Sequence, residues 1–408
     1  MQSWSEVNVP ALDLATVDIS TVDLQVFDSK SADLTSLPTQ QTVKLYVCGI
    51  TPYDATHMGH AATYVAFDTL HRFWRAIGTQ VQYAQNVTNI DDPLLERANL
   101  TGRPWQEIAI EQTELFKTDM EALRVIPPQN YVGVVEAMEI IEQSVVKLKD
   151  LGVTYSLEND LYFDMTQTDL LGEVCHLTSE EMLKIFAQRG GDPDRPGKRN
   201  PFDALLWRGK SGDDPFWESD LGPGRPGWHI ECSAIATHYL GAEVTVQGGG
   251  SDLKFPHHEM SAAHAESLTG KRPFAHAFMH AGMVSLDGEK MSKSLGNLVF
   301  ISKLRAQGVD PMAIRLVLLS HHYRSDWEWF DSELVAAQAR LDIWRSAFAK
   351  PMGALSPIGD LVAKLSFDLD TPAAIQRIDA WAQDTLSGQS VEATSAVSLA
   401  VDAILGIV

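Results

Sequence analysis

Cysteine is scarce in this chain: three in 408 residues, at positions 48, 175 and 232, with no two close enough for a CxxC pair. That excludes a disulfide framework and agrees with a reducing compartment. No window approaches the roughly 18 unbroken apolar residues of a membrane span, so no membrane partner is expected. Runs of Lys and Arg are missing too, and the net charge is −22. A protein that grips many phosphates of a long nucleic acid usually shows a basic face, so none is expected as partner. The first basic residue is Lys30, so the opening lacks the charged n-region of a secretory signal, and a cytoplasmic location is expected. Internal repeats and low-complexity tracts are also absent. What is present, 45% apolar residues over this length, is enough for more than one average domain.

Residues 1–40 are acidic and Ser/Thr-rich and read as a loosely structured lead-in holding at most one β-hairpin. From Lys44 to Asp92 the pattern is strand ("VKLYV"), turn, helix from Ala61 to Ile77 stopping at Gly78, and a second strand, "VQYAQNVTNIDD". This βαβ unit implies an α/β fold with a parallel sheet and a ligand at the carboxyl ends of its strands. Residues 100–225 read as an insertion, with helices over 104–124 and 131–151, a hairpin at "VTYSLENDLYFDM" and a Gly/Pro loop over 188–203. The sheet pattern resumes with "GWHIECSAIATHYLG" as a helix, "EVTVQGGG" as a strand, "FPHHEMSAAHAESLTG" as a helix and "FAHAFMHAGMV" as a strand. The division expected is 1–40, a catalytic domain over 41–300, and a helical domain over 301–408 with helices at 301–307, 311–321, 331–349, 371–386 and 391–406.

Three constellations carry chemistry. "HMGH" (His57 to His60) stands at a helix N-terminus, where outward N–H groups favour an anion and Gly59 lets a nucleotide approach the backbone. Alone, such histidines equally serve as ordinary helix caps. "KMSKS" (Lys290 to Ser294) lies in a Gly-flanked loop whose Lys290 and Lys293 can clamp outer phosphates; alone, it reads as a solvated turn. Cys48, Cys232 and His257 could converge on one metal, and two thiolates with an imidazole suit tetrahedral Zn²⁺ with an open fourth position. Spacing alone fits two buried cysteines and a surface histidine as well, whereas Gly248 to Gly250 suit close approach to a ligand. Cys175, in "GEVCHLTSEE", has no such context and is read as a bystander.

"HMGH" and "KMSKS" together resemble the signature of class I aminoacyl-tRNA synthetases. The stretches "YVCGITPYD", "GWHIECS", "GGGSDLKFPHHE" and "KMSKSLGN" look like the cysteinyl-tRNA synthetase family, whose zinc has a glutamate ligand four residues after the histidine. Here that position is Ser261, and Glu259 stands where a helix would turn it elsewhere. With "MQSW", "CGITPYDATH" and "QRGGDP", the chain is similar to the related ligase family of mycothiol biosynthesis, although that family usually has Glu where Gln188 stands.

The resemblance implies a Rossmann-like (HUP) nucleotide-binding domain of the class I synthetase type, with an inserted subdomain and a C-terminal α-helical domain. It implies two steps: L-cysteine and ATP, as its Mg complex, give cysteinyl-AMP and pyrophosphate, and the amine of glucosaminyl-inositol then takes the acyl group. His57 and His60 would stabilise transition-state charge, with Lys290 and Lys293 on the outer phosphates. Cys48, Gly49, Ile50, Thr51, Thr63, Asn86, Val87, Thr88, Gly250, Ser251 and Asp252 should line the adenylate, with Val284 beside the adenine. Trp228, one turn before Cys232, should wall the cysteine pocket, a core tryptophan being the other reading. The alternative activity is charging of tRNA(Cys), which the acidic charge, Ser261 and the short helical tail oppose. A monomer is expected.

Overall fold

The computed structural model describes residues 1–12, 22–39, 42–54, 56–286, 288–291 and 298–407, with Lys290 described through its backbone only. Its centre is a five-stranded parallel sheet. Along the chain these strands and their helices are β1 (Val43–Val47), α1 (Met58–Ala76), β2 (Val81–Val87), β3 (Asn130–Gly133), α2 (Trp228–Leu240), β4 (Val244–Gly250), α3 (Glu259–Thr269) and β5 (Ala275–Ala281). The spatial order is β5-β4-β1-β2-β3. The chain runs outward from β1 to β3 and returns on the other side as β4 and β5. The order therefore reverses between β1 and β4, the crevice where α/β sheets of this kind bind ligands.

The run "VKLYV" forms β1 because its apolar side chains can be covered on both faces. The period of two divides them: Val43, Leu45 and Val47 join the core made with α1, while Tyr46 and Cys48 join the core made with α2 and α3. α1 lies so close to the sheet that a Cβ on Gly248 of β4 would come 2.3 Å from the Phe67 ring. The N-terminal segment supplies a hairpin, Leu24–Asp28 with Asp33–Leu37, and Phe278 N–H of β5 donates to Asp28 Oδ1 (2.8 Å).

Three local expectations are corrected. Residues 131–151 are not one helix: Asn130–Gly133 is the edge strand of the main sheet, and the helix is Met138–Asp150. The helix expected from Phe255 begins at Glu259, because Phe255 is extended (φ −137°, ψ 136°). A further helix, Ile358–Ser366, lies between those expected at 331–349 and 371–386. The hairpin Thr154–Leu157/Asp160–Phe163 forms as expected and extends through Ala204–Gly209 and Gly224–Pro226 into a four-stranded antiparallel sheet.

The C-terminal helices continue the core of α1 rather than building a separate one. Asp68 of α1 takes the guanidiniums of Arg72 (2.7 Å) and Arg315, with all three side chains fully buried. Burial opposes the Asp68 charge, but the two arginines outweigh it and hold its carboxyl below the usual range. Among the described residues, no helix is long and apolar enough to cross a membrane.

Candidate active site and metal centre

β1 ends at Val47 and delivers Cys48 to the crevice. There the chain is tied to β2: Gly49 N–H donates to Asn86 Oδ1 (2.7 Å), and Thr88 N–H donates to the Ile50 carbonyl (2.9 Å). A Cβ on Gly49 would lie 1.6 Å from the Asn86 carbonyl oxygen, so only glycine allows this approach. Asn86 Nδ2 donates to Thr88 Oγ1 (3.1 Å), and the Tyr64 hydroxyl of α1 donates to the Cys48 carbonyl (3.1 Å).

Cys232 reaches the same point from α2, and His257 from the irregular turn after β4. Cys48 Sγ is 3.8 Å from Cys232 Sγ, and His257 Nε2 is 3.2 Å from Cys232 Sγ. All three are buried and could hold a metal, their ligand atoms lying within 4.8 Å of one another. Two sulfurs each about 2.3 Å from a tetrahedral zinc sit about 3.8 Å apart, so the donor set fits that ion in spacing and in chemistry. Burial opposes charge on Cys232, yet the hydrogen bond from Cys48 and the adjacent His257 overcome it and hold this thiol well below its ordinary value. Burial and the neighbouring Cys232 push Cys48 upward.

The surroundings orient these three side chains. Trp228 stacks on His257 with ring centroids 4.4 Å apart, and His229 Nδ1 is 3.1 Å from His257 Nδ1. Ser261 brings no carboxylate; its hydroxyl accepts from Gln247 Nε2 (3.0 Å) and donates to the His258 carbonyl (3.3 Å). Glu259 points elsewhere, accepting the backbone N–H groups of Gly172, Val174 and Cys175 at 2.7 to 2.9 Å. Sequence reasoning missed His258, His229 and His280. The first two had a signal, the doublet in "PHHE" and one helical turn before Cys232; His280 had none.

On the other flank His57 caps α1, its Nδ1 accepting from Gly59 N–H (3.1 Å), and its ring stacks on His60 with centroids 3.8 Å apart. The segment after "KMSKS" returns to this helix start: Met58 N–H donates to the Val299 carbonyl (2.9 Å) and Ile301 N–H to that of Thr56 (3.0 Å). The fold thus places the chain that follows one signature motif against the other. The Lys290 side chain and all of Lys293 lie outside the described residues. Thr63 Oγ1 donates to the Gly59 carbonyl (3.1 Å) and faces Gly250, with Ser251 and Asp252 following directly. Val284 is buried in a short strand paired with Trp327.

Between the crevice and the antiparallel sheet lies a cavity of about 930 Å³, reached by Thr51, Asp91, Arg225, Trp228, His229 and Asp252. Burial pushes the Asp91 carboxyl up to about 6. Asp92 beside it lies below the usual range, because Arg225 and Arg208 outweigh its burial.

Residues 35–339 match the family described as tRNA synthetases class I (C) catalytic domain. Among solved structures, methionyl-tRNA synthetase of Mycobacterium tuberculosis with methionyl-adenylate superposes with a TM-score of 0.65 at 15% identity, covering 90% of this chain and 92% of that one. A leucyl-tRNA synthetase of Agrobacterium radiobacter also gives 0.65, at 11% identity over 91% and 84%. Among curated proteins, the L-cysteine:1D-myo-inositol 2-amino-2-deoxy-alpha-D-glucopyranoside ligases of Thermomonospora curvata and Streptomyces coelicolor are each 52% identical over 100% of both chains. That of Salinispora tropica is 54% identical over 93% and 96%. With that identity over its whole length, on a sheet of the class I synthetase kind, the chain belongs to the L-cysteine:1D-myo-inositol 2-amino-2-deoxy-alpha-D-glucopyranoside ligase family.

Proposed function

We propose that this protein is an AMP-forming, amide-forming ligase that joins L-cysteine to the amine of glucosaminyl-inositol through cysteinyl-AMP, releasing pyrophosphate, in mycothiol biosynthesis. The observation that carries the reading is the donor set of two sulfurs and an imidazole at the sheet's switch point, beside the capped helix start of "HMGH". Zinc held by Cys48, Cys232 and His257 would supply a soft Lewis acid with one open corner, which prefers a thiolate to the hydroxyl of serine. Shape alone separates near-isosteres poorly, so a chemical criterion is needed. Trp228, stacked on His257, walls the amino acid's side.

The carboxylate of cysteine attacks the α-phosphate of ATP, bound as the Mg complex. His57 and His60 donate to the oxygens where charge grows, and Lys290 and Lys293 neutralise the departing pyrophosphate. Gly49 to Thr51, Thr63, Asn86 to Thr88, Gly250 to Asp252 and Val284 hold the adenylate. The acceptor enters the 930 Å³ cavity, whose carboxylates and guanidiniums suit a polyhydroxylated amine. We take 41–300 as the catalytic unit, with the antiparallel sheet as its inserted part and 301–408 as its helical support, in a cytoplasmic monomer.

The test offers ATP, L-cysteine and either glucosaminyl-inositol or tRNA(Cys), and weighs the products. The expected result is the cysteinyl amide with AMP and pyrophosphate. Charged tRNA without the amide, or activation of serine as readily as cysteine, refutes the proposal.

A further inference from the structure

The metal site and the adenylate site leave a line of buried polar side chains unused. Cys48 Sγ is 3.3 Å from His258 Nε2; His258 Nδ1 is 2.8 Å from His280 Nε2; His280 Nδ1 is 2.8 Å from Ser29 Oγ. Ser29 follows the first strand of the N-terminal hairpin. Its N–H donates to the Phe278 carbonyl (2.9 Å), and its own carbonyl lies 2.8 Å from His176 Nε2. Exposure is 0% for His258 and 4% for both His280 and Ser29, so the line has little access to water.

The contacts run in one direction when Cys48 ligates a metal. A neutral imidazole has one N–H and one lone pair, while a ligating thiolate has no proton and can only accept. His258 must then carry its hydrogen on Nε2 and offer Nδ1 as acceptor. His280 must likewise carry its hydrogen on Nε2, and its Nδ1 accepts from the Ser29 hydroxyl. This assignment gives every donor an acceptor from Ser29 to the sulfur.

We propose that Ser29, His280 and His258 form a positioning relay for the Cys48 ligand, delivering one N–H to its sulfur. The inference rests on the metal reading above. A divalent ion with two thiolates is neutral, and the thiolate of the substrate cysteine makes the set anionic inside a buried cage, where charge is costly unless offset. An N–H aimed at a ligating sulfur offsets that charge and fixes the sulfur's place. The N-terminal hairpin thereby becomes part of the metal centre.

The test loads cobalt(II) into the full chain and measures its affinity by chelator competition, together with the sulfur-to-cobalt charge-transfer band. His258→Phe is expected to lose about 10- to 100-fold in metal affinity and to shift the band. Ser29→Ala, three contacts from the sulfur, should move both readings the same way by less. His71→Phe, which replaces a buried imidazole of α1 packed on Tyr83, should match the parent. A folded Ser29→Ala with the parent's affinity and band overturns the relay, whatever His258→Phe does. A parent that takes up no cobalt removes the metal reading, and the relay with it; a parent that does, beside an unchanged Ser29→Ala, removes the relay alone. If His258→Phe does not fold, His280→Gln and Ser29→Ala decide.

Discussion

Gly49→Ala asks how tightly the crevice is built. The new Cβ would start 1.6 Å from the Asn86 carbonyl oxygen and 2.6 Å from the Asn86 carbonyl carbon, both backbone atoms. Such contacts are not found below 3.0 Å, so the tips of β1 and β2 must part by about 1.4 Å. That movement pulls Gly49 N–H off Asn86 Oδ1, now at 2.7 Å, and carries the adjoining Cys48 with it. Misplacing reacting groups by about 1 Å costs on the order of 100-fold, and 1.4 Å is larger. Cysteine-dependent ATP–pyrophosphate exchange should therefore fall at least about 100-fold in kcat/KM, near 2.7 kcal/mol in barrier. Overpacking should cost a further ~1–3 kcal/mol of stability, read separately by denaturant melts. Gly359→Ala is the counterpart. It lies in the helix Ile358–Ser366 with nothing within 4 Å of the new methyl, and should leave exchange unchanged while stabilising by up to about 1 kcal/mol. Retention of exchange within threefold in Gly49→Ala would refute the reasoning.

His57→Ala removes the donor proposed for the reacting phosphate together with the cap on Gly59 N–H. Exchange should drop about 100- to 1,000-fold, with ~1 kcal/mol lost from stability; stability lost with exchange intact contradicts the catalytic role. Asp91 has a folded pKa of about 6, above its ordinary value, so the stability it contributes is full at pH 3 and lost as pH rises through 6. Asp91→Asn should therefore gain about 1–2 kcal/mol over the parent at pH 8 and nothing at pH 3, and an equal gain at both is the opposing result. Chelation should lower the melting temperature, with recovery on adding Zn²⁺. In Cys232→Ser, metal analysis should find the ion lost and chelator should no longer shift the melt; full metal content there argues against this ligand.

Much of the framework was legible locally. "VKLYV" alternates its side chains between two cores, Gly78 closes α1 at a positive φ of 87°, and the hairpin at Glu158–Asn159 follows its alternation. The family was legible from motifs quoted in the chain. Asn130–Gly133 was not, because a strand of only four residues beside a helical stretch carries no period of its own. The helix Ile358–Ser366 is short and follows a proline, which hid it.

The sequence by itself determined which residues could bind a soft metal and an anion, since that depends on side-chain chemistry and on the helix start at His57. Only the tertiary structure decided that Cys48 and Cys232, which are 184 positions apart, meet at 3.8 Å, because strand order sets which ends become neighbours. It also decided that both histidines of "PHHE" turn inward, and that Ser29 of the N-terminal hairpin reaches their network. The extended Phe255 interrupts the helix there, and a break of that kind is fixed by what packs around it.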